Sequence, residues 1–158
     1  MLDIDMIKRD LNMEVERCKK IVNLLNSNCI CAESVFIEIL IRLALVLGKL
    51  KTMGHEISWK EDLQSKAEIS NISDLVREMR NAACHIESNS RSVDESATKS
   101  VFNRIVGNRT NGIKINTVEL NCEYDNDVAL FYGNLRIYLN RHINKLLDNL
   151  PNIINTIS

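Results

Sequence analysis

Residues 33–51 read ESVFIEILIRLALVLGKLK, and this segment limits the possible folds more than any other. Val35, Phe36, Ile39, Leu40, Leu43, Val46, Leu47 and Leu50 leave it almost no polar face. A helix that is apolar on most sides has to be covered on several sides. The segment therefore predicts the centre of a helical bundle or of a dimer interface. Its charged interruptions, Glu38 and Arg42, are spaced to pair across one helical turn.

The flanking chain is read by the same periodicity. Ile7, Leu11, Cys18, Ile21, Val22 and Leu25 form one stripe and predict a helix over 3–26. A short helix carrying Trp59 is expected over 57–67. Ile72, Leu75, Val76, Met79, Ala82, Ala83 and Ile86 predict a further helix, with capping residues in Asn71-Ile72-Ser73 and an end near Ser88. A fourth main helix is expected over 93–106, with Val101, Phe102 and Ile105 inward. NSNC at 26–29, MGHE at 53–56 and GNRTNG at 107–112 are turn signals.

Beyond them, IKINTVELNCEY alternates polar and apolar residues, which predicts one strand or a small hairpin. Asp125-Asn126-Asp127 then offers a cap for a last helix over 128–149, with Phe131, Leu135, Leu139, His142, Ile143, Leu146 and Leu150 as its stripe. The tail that begins at Pro151 is expected to fray. The expected fold is thus an all-α bundle of about five helices in a single domain, 1–158. Its helical core covers about 3–106, and a strand or hairpin plus the final helix covers about 113–150. A composition of 45% apolar and 4% aromatic residues, with one proline and five glycines, points the same way.

Charge and cysteines exclude some functions. A net charge of −1 gives no general basic field, so any nucleic-acid contact has to come from a local patch. No apolar run reaches membrane-spanning length and MLDIDMIKRD lacks a signal-peptide core, so a cytoplasmic location is expected. The five cysteines are Cys18, Cys29, Cys31, Cys84 and Cys122, an odd number with no C-x-x-C pair, and reduced structural thiols are expected. Without a two-histidine helical pair or clustered aspartates, neither a metal nor a cofactor is expected.

The candidate chemistry lies at residues 80–85, RNAACH. Helical residues advance by about 100°, so Ala82 and Ala83 turn to the apolar side. Asn81 and Cys84 lie near the middle of the opposite face, flanked by Arg80 and His85. Arg77, Asn81 and His85 also form a ladder at four-residue steps. An Arg–His pair at similar spacing recurs at Arg136 and His142 in RIYLNRH, where no polar residue follows the arginine.

RNAACH resembles the R-x4–6-H signature of HEPN domains, all-helical domains of many prokaryotic toxin and RNA-processing systems, in which a polar residue often follows the arginine. The resemblance covers about residues 3–106 as a helical pattern, and only RNAACH is motif-specific. It implies a metal-independent endoribonuclease of toxin or phage-defence type. The RNA 2′-OH would attack the adjacent phosphate to give a 2′,3′-cyclic phosphate. By this resemblance His85 serves as acid or base, Arg80 holds the phosphate and Asn81 orients it, with Arg77 as an accessory substrate contact. The family further implies a homodimer through the motif helix, and a restraining antitoxin such as a minimal nucleotidyltransferase. A non-catalytic HEPN-fold dimerisation module, or a nucleotide-binding bundle, is the alternative.

Overall fold

The computed structural model describes residues 3–27, 29–85, 87, 89, 92–94, 99, 101–107 and 112–158. The chain begins with α1 (Ile4–Ile21), which runs into a 3-10 turn (Val22–Asn26). It continues through α2 (Ala32–Thr52) and α3 (Ile72–Cys84). Five strands follow: β1 (Asn103–Val106), β2 (Ile113–Ile115), β3 (Val118–Leu120), β4 (Val128–Tyr132) and β5 (Leu135–Tyr138). A π-helical turn (Leu139–Asn144) then leads directly into α4 (Lys145–Asn155).

α2 is the central helix of the helical layer. It packs between α1 and α3, while α4 lies against α1. Phe36, Ile39, Leu40, Leu43, Val46 and Leu50 are buried, as the apolar pattern of this segment requires. Arg42 does pair with Glu38, and it also reaches Glu14 on α1, which ties the two helices together at their rim. Cys18 lies in the same seam, and burial pushes its thiol up to about 12, so it stays protonated.

The β elements overturn the all-α expectation. β1, β4 and β5 form an antiparallel sheet with β4 in the middle, and β2 pairs with β3 as a separate hairpin. The fold is therefore mixed, with helices and antiparallel strands in one body. The segment expected as the final helix is mostly a β-hairpin followed by a shorter helix. Gly133 and Asn134 make its two-residue turn, with Gly133 at φ 57°, and Tyr132 pairs with Leu135 across it.

β4 is buried at every position, because the sheet is covered on both faces. Val128, Leu130 and Tyr132 join the helical core, while Ala129 and Phe131 face a smaller core with Ile105, Leu120, Cys122 and Tyr138. A strand covered on both faces reads as a continuous apolar run, which periodicity alone does not separate from a helix.

Other expectations also change. The helix expected over 93–106 is replaced at its end by β1, whose Asn103 pairs with Phe131. Residues 95–98 and 100, on which part of that expectation falls, lie outside the described residues, as do 108–111 of the turn cluster and Ile86 and Ser88 at the end of the motif helix. No helix forms over 57–67. Its groups bond elsewhere: Trp59 C=O accepts from Ile72 N at 3.0 Å, and Ile57 C=O accepts from the Ser73 hydroxyl at 2.7 Å. Gln64 lies along the outer edge of β5, donating to Asn134 C=O at 3.0 Å and accepting from Arg136 N at 2.7 Å.

At 113–124 the small hairpin is present, turning at Asn116 with φ 55°. The tail does not fray at Pro151: α4 continues through it to Asn155, and Ile154 and Ile157 are buried in the main core. Cys29 and Cys31 are not reduced thiols but a disulfide across Ile30, with their Cα atoms 5.2 Å apart, while Cys18, Cys84 and Cys122 are free.

Phe36 joins the two layers. Its ring lies 6.0 Å from Tyr132 on β4 and 5.5 Å from Phe102 just before β1. Phe36→Ala is expected to lower the unfolding free energy by about 3–5 kcal/mol. Urea titration of both proteins checks this, and a loss below about 1 kcal/mol would contradict the seam.

Candidate functional site

α3 displays the RNAACH residues. Its start is held by Asn71, whose side chain accepts from Asp74 N at 2.9 Å. Ile72, Leu75, Val76, Met79, Ala82 and Ala83 are buried against the core. The small Ala82 and Ala83 sit inward, so the polar side chains around them turn away from the core. The helix stops at Cys84. His85 takes an extended backbone, φ −119° and ψ 104°, with its N–H bonded to Asn81 C=O at 3.0 Å.

This ending alters the ladder expected from sequence. Arg77 and Asn81 remain one turn apart on the helix. His85 leaves the helical path and stands exposed at its end. Arg80 lies about one helical turn before Cys84, where the helix stops, and His85 follows that stop. No hydrogen bond joins Arg80, Asn81 and His85 through their side chains, and among the described residues these side chains have no other polar partner. The three are gathered at one helix end but are not locked to one another.

Arg80 turns toward α2. It lines a cleft of about 210 Å³ with Arg77, Ser73 and Asp74 from α3 and with Lys51 from α2. Arg77 is half-exposed and is held by Asp74 at 2.9 Å and Glu78 at 3.1 Å. Lys51 pairs with Glu56 at 2.7 Å. The Asp74 carboxyl lies below the usual range: burial opposes this, but the Ser70 hydroxyl and amide and the Arg77 guanidinium outweigh it. In the sequence Lys51 is one more polar residue at the end of an apolar run. The signal that joins it to Arg77 and Arg80 is tertiary, since it depends on how α2 crosses α3.

The second Arg–His pair is built quite differently. Arg136 sits on β5, bonded to Glu123 at 2.7 Å and lying over the Tyr138 ring at 4.7 Å. His142 is only 1% exposed. Its Nδ1 accepts from Tyr138 N at 3.0 Å, and its Nε2 lies 3.3 Å from Glu61 C=O, which calls for the tautomer with the proton on Nε2. The ring also packs beside Trp59 and Tyr138. With both nitrogens engaged inside the protein, His142 acts as a structural pin.

The surrounding polar groups serve the same turn. Asp127 accepts from Val128 N at 2.7 Å, Asn140 N at 2.8 Å and Arg141 N at 3.1 Å, so it caps the π-helical turn from a distant loop. Arg141 reaches Asp62 at 3.1 Å and covers the Tyr124 ring at 3.5 Å. Asp62 in turn accepts from the Tyr124 hydroxyl at 2.7 Å.

Among the described residues no cluster of three or more His, Cys, Asp or Glu could hold a metal ion. Nor is any helix among them long and apolar enough to cross a membrane. No family model matches the chain, and neither a curated protein nor a solved structure does.

Burial lowers the His142 pKa from 6.5 to about 4, against the opposing pull of Glu61 C=O and of Asp62 and Asp127. The unfolded chain therefore takes up a proton between these values that the folded chain refuses. Stability is expected to fall as pH drops from about 6.5 to about 4, by up to roughly 3 kcal/mol from this residue. Denaturant midpoints across that range should slope less for His142→Gln than for wild type. Equal slopes would sink the assignment.

Proposed function

We propose that this chain is a metal-independent endoribonuclease of toxin or phage-defence type, acting in the cytoplasm as a homodimer. The observation that carries the reading is the uncommitted state of Arg80, Asn81 and His85. All three stand at the end of a well-anchored helix, and none spends its side chain on another described residue. His142, the histidine of the other Arg–His pair, has both ring nitrogens engaged. The resemblance of RNAACH to the HEPN signature supplies the chemical class. Part of the helical pattern on which that resemblance rests is present: α2 packs between α1 and α3, although no helix forms over 57–67 and β1 takes the end of 93–106.

RNA carries its own nucleophile beside the scissile phosphate, so positioning accounts for much of the rate. His85, exposed at the helix end, takes the 2′-OH proton or protonates the departing 5′ oxygen. Arg80 binds the phosphate through its planar fork and stabilises the added charge of the transition state. Asn81, one residue along, orients the phosphate, and Arg77 provides an outlying contact. One chain offers one such histidine. A two-fold pairing through α3 supplies both an acid and a base. A partner such as a minimal nucleotidyltransferase would restrain the active form.

A second reading is favoured by α2. Ile41 and Leu45 are 43% and 55% exposed on its outer face, beside an apolar groove shared with α1. Such a face suits a non-catalytic dimerisation module.

One comparison separates the two. Purified dimeric wild type should cut RNA with chelator present and leave 2′,3′-cyclic phosphate and 5′-OH ends. Arg80→Ala and His85→Ala should each lower the rate by about 100-fold or more. Wild type that cuts no RNA would end the nuclease reading, and mutants that cut like wild type would end the site assignment.

A further inference from the structure

α2 carries a glycine in its interior, Gly48, where glycine is among the least favourable residues for a helix. Among the described residues no neighbour crowds it. A Cβ added at Gly48 meets no atom within 4 Å, and the residue is exposed. The open space above it lies between the apolar groove against α1 and the cleft between α2 and α3, both of which Gly48 lines. Ala44, Leu47 and Gly48 contribute apolar surface, and Lys51, Arg77 and Arg80 contribute the cations. Set against the Asp74 carboxylate, three cations leave this cleft with a net charge of +2 in a chain whose net charge is −1.

We propose that this cleft is a second phosphate subsite for single-stranded RNA. It holds the phosphodiester next to the one addressed by Arg80 and His85. Lys51 and Arg77 are its cationic ligands, and the surface around Gly48 leaves room for the ribose. Which phosphate is cut rests on the nuclease reading above; the subsite itself rests on the cleft.

The geometry matches such a path. Ser73, Arg77 and Arg80 follow one line along α3 toward its end, where His85 stands. A strand laid along that line meets Arg77 and Lys51 one turn before it meets Arg80. Both cations have partners, but their own side chains stay open to solvent: Lys51 is 59% and Arg77 51% exposed. Pairs of that kind are weak and are readily exchanged for a phosphate. Glu56 and Glu78, two of the carboxylates they would leave, sit outside the lining of the cleft, while Asp74, which also holds Arg77, stays within it as its one acidic group. Among the described residues no aromatic side chain lines it, so the bases have no stacking platform from them. Binding is carried by the backbone, is indifferent to sequence and falls with salt.

The test uses the His85→Ala protein, in which cleavage is expected to be suppressed, and a fluorescein-labelled twelve-residue oligouridylate. Affinity is read by anisotropy at several salt concentrations. Adding Lys51→Gln, or Gly48→Glu, which puts a carboxylate into the open space, should weaken binding about five- to tenfold at low salt. Lys51→Gln should also reduce the salt slope by about one. Lys20→Gln, on the outer face of α1, serves as the control for loss of a surface cation and should bind like the parent. A thermal melt verifies that each protein is folded, and Lys51→Gln decides alone if Gly48→Glu is not.

The subsite is overturned if the parent does not bind the oligouridylate, or if the cleft variants bind as the parent does. Cleft-dependent binding with no cleavage by wild type upholds the subsite and defeats the nuclease reading. Cleavage by wild type with cleft-independent binding does the reverse.

Discussion

The burial of α2 is the constraint on which the rest of this structure depends. So apolar a helix has to be covered on most of its sides, and each neighbour covers a different part of it. α1 and α3 take its flanks, and the sheet meets its first turns through Phe36 and through the Glu33 carboxylate, which accepts from the Tyr132 hydroxyl at 2.9 Å. Because β4 must touch α2 on one face and carry the β2–β3 hairpin on the other, it has no solvent side at all. The inserted strands are thus part of the covering of α2 rather than an appendage to a finished bundle.

That dependence explains what could be read in advance. α1, α2 and α3 have one core-facing stripe or an apolar run too long for a strand, and their spans are legible within a few residues. The β2–β3 hairpin is legible because one side of it stays wet and its residues alternate. β4 and β5 fail for the opposite reason, since every residue of β4 is covered and the period-two signal disappears. Phe131, Leu135 and Leu139 then happen to fall four apart, which imitates a helical stripe. A local signal was present even so: Val128 to Tyr132 and Leu135 to Tyr138 are rich in β-branched and aromatic residues, and Gly133-Asn134 between them is a two-residue hairpin turn. Asp127 behaves as the cap its position suggests, but for a turn that begins at Leu139.

The site divides in the same way. The outward direction of Arg77 and Asn81 follows from helix geometry and is seen in the structure. The departure of His85 from the helix does not follow, because nothing in RNAACH specifies a stop. Lys51 was out of reach of sequence reading, since only the crossing of α2 over α3 brings it beside Arg77 and Arg80. The same crossing gives meaning to Gly48, which from the sequence alone is only a weak point in a strong helix.

Gln64 has a consequence beyond its two bonds. A three-stranded sheet has two open edges, each a row of backbone groups able to recruit another chain. Along β5 the Gln64 amide stands in for the missing neighbour, giving and receiving one bond as a paired residue of a fourth strand would. The loop that failed to become a helix thereby sets the width of the sheet, and a single side chain stands guard against strand-by-strand aggregation on that side.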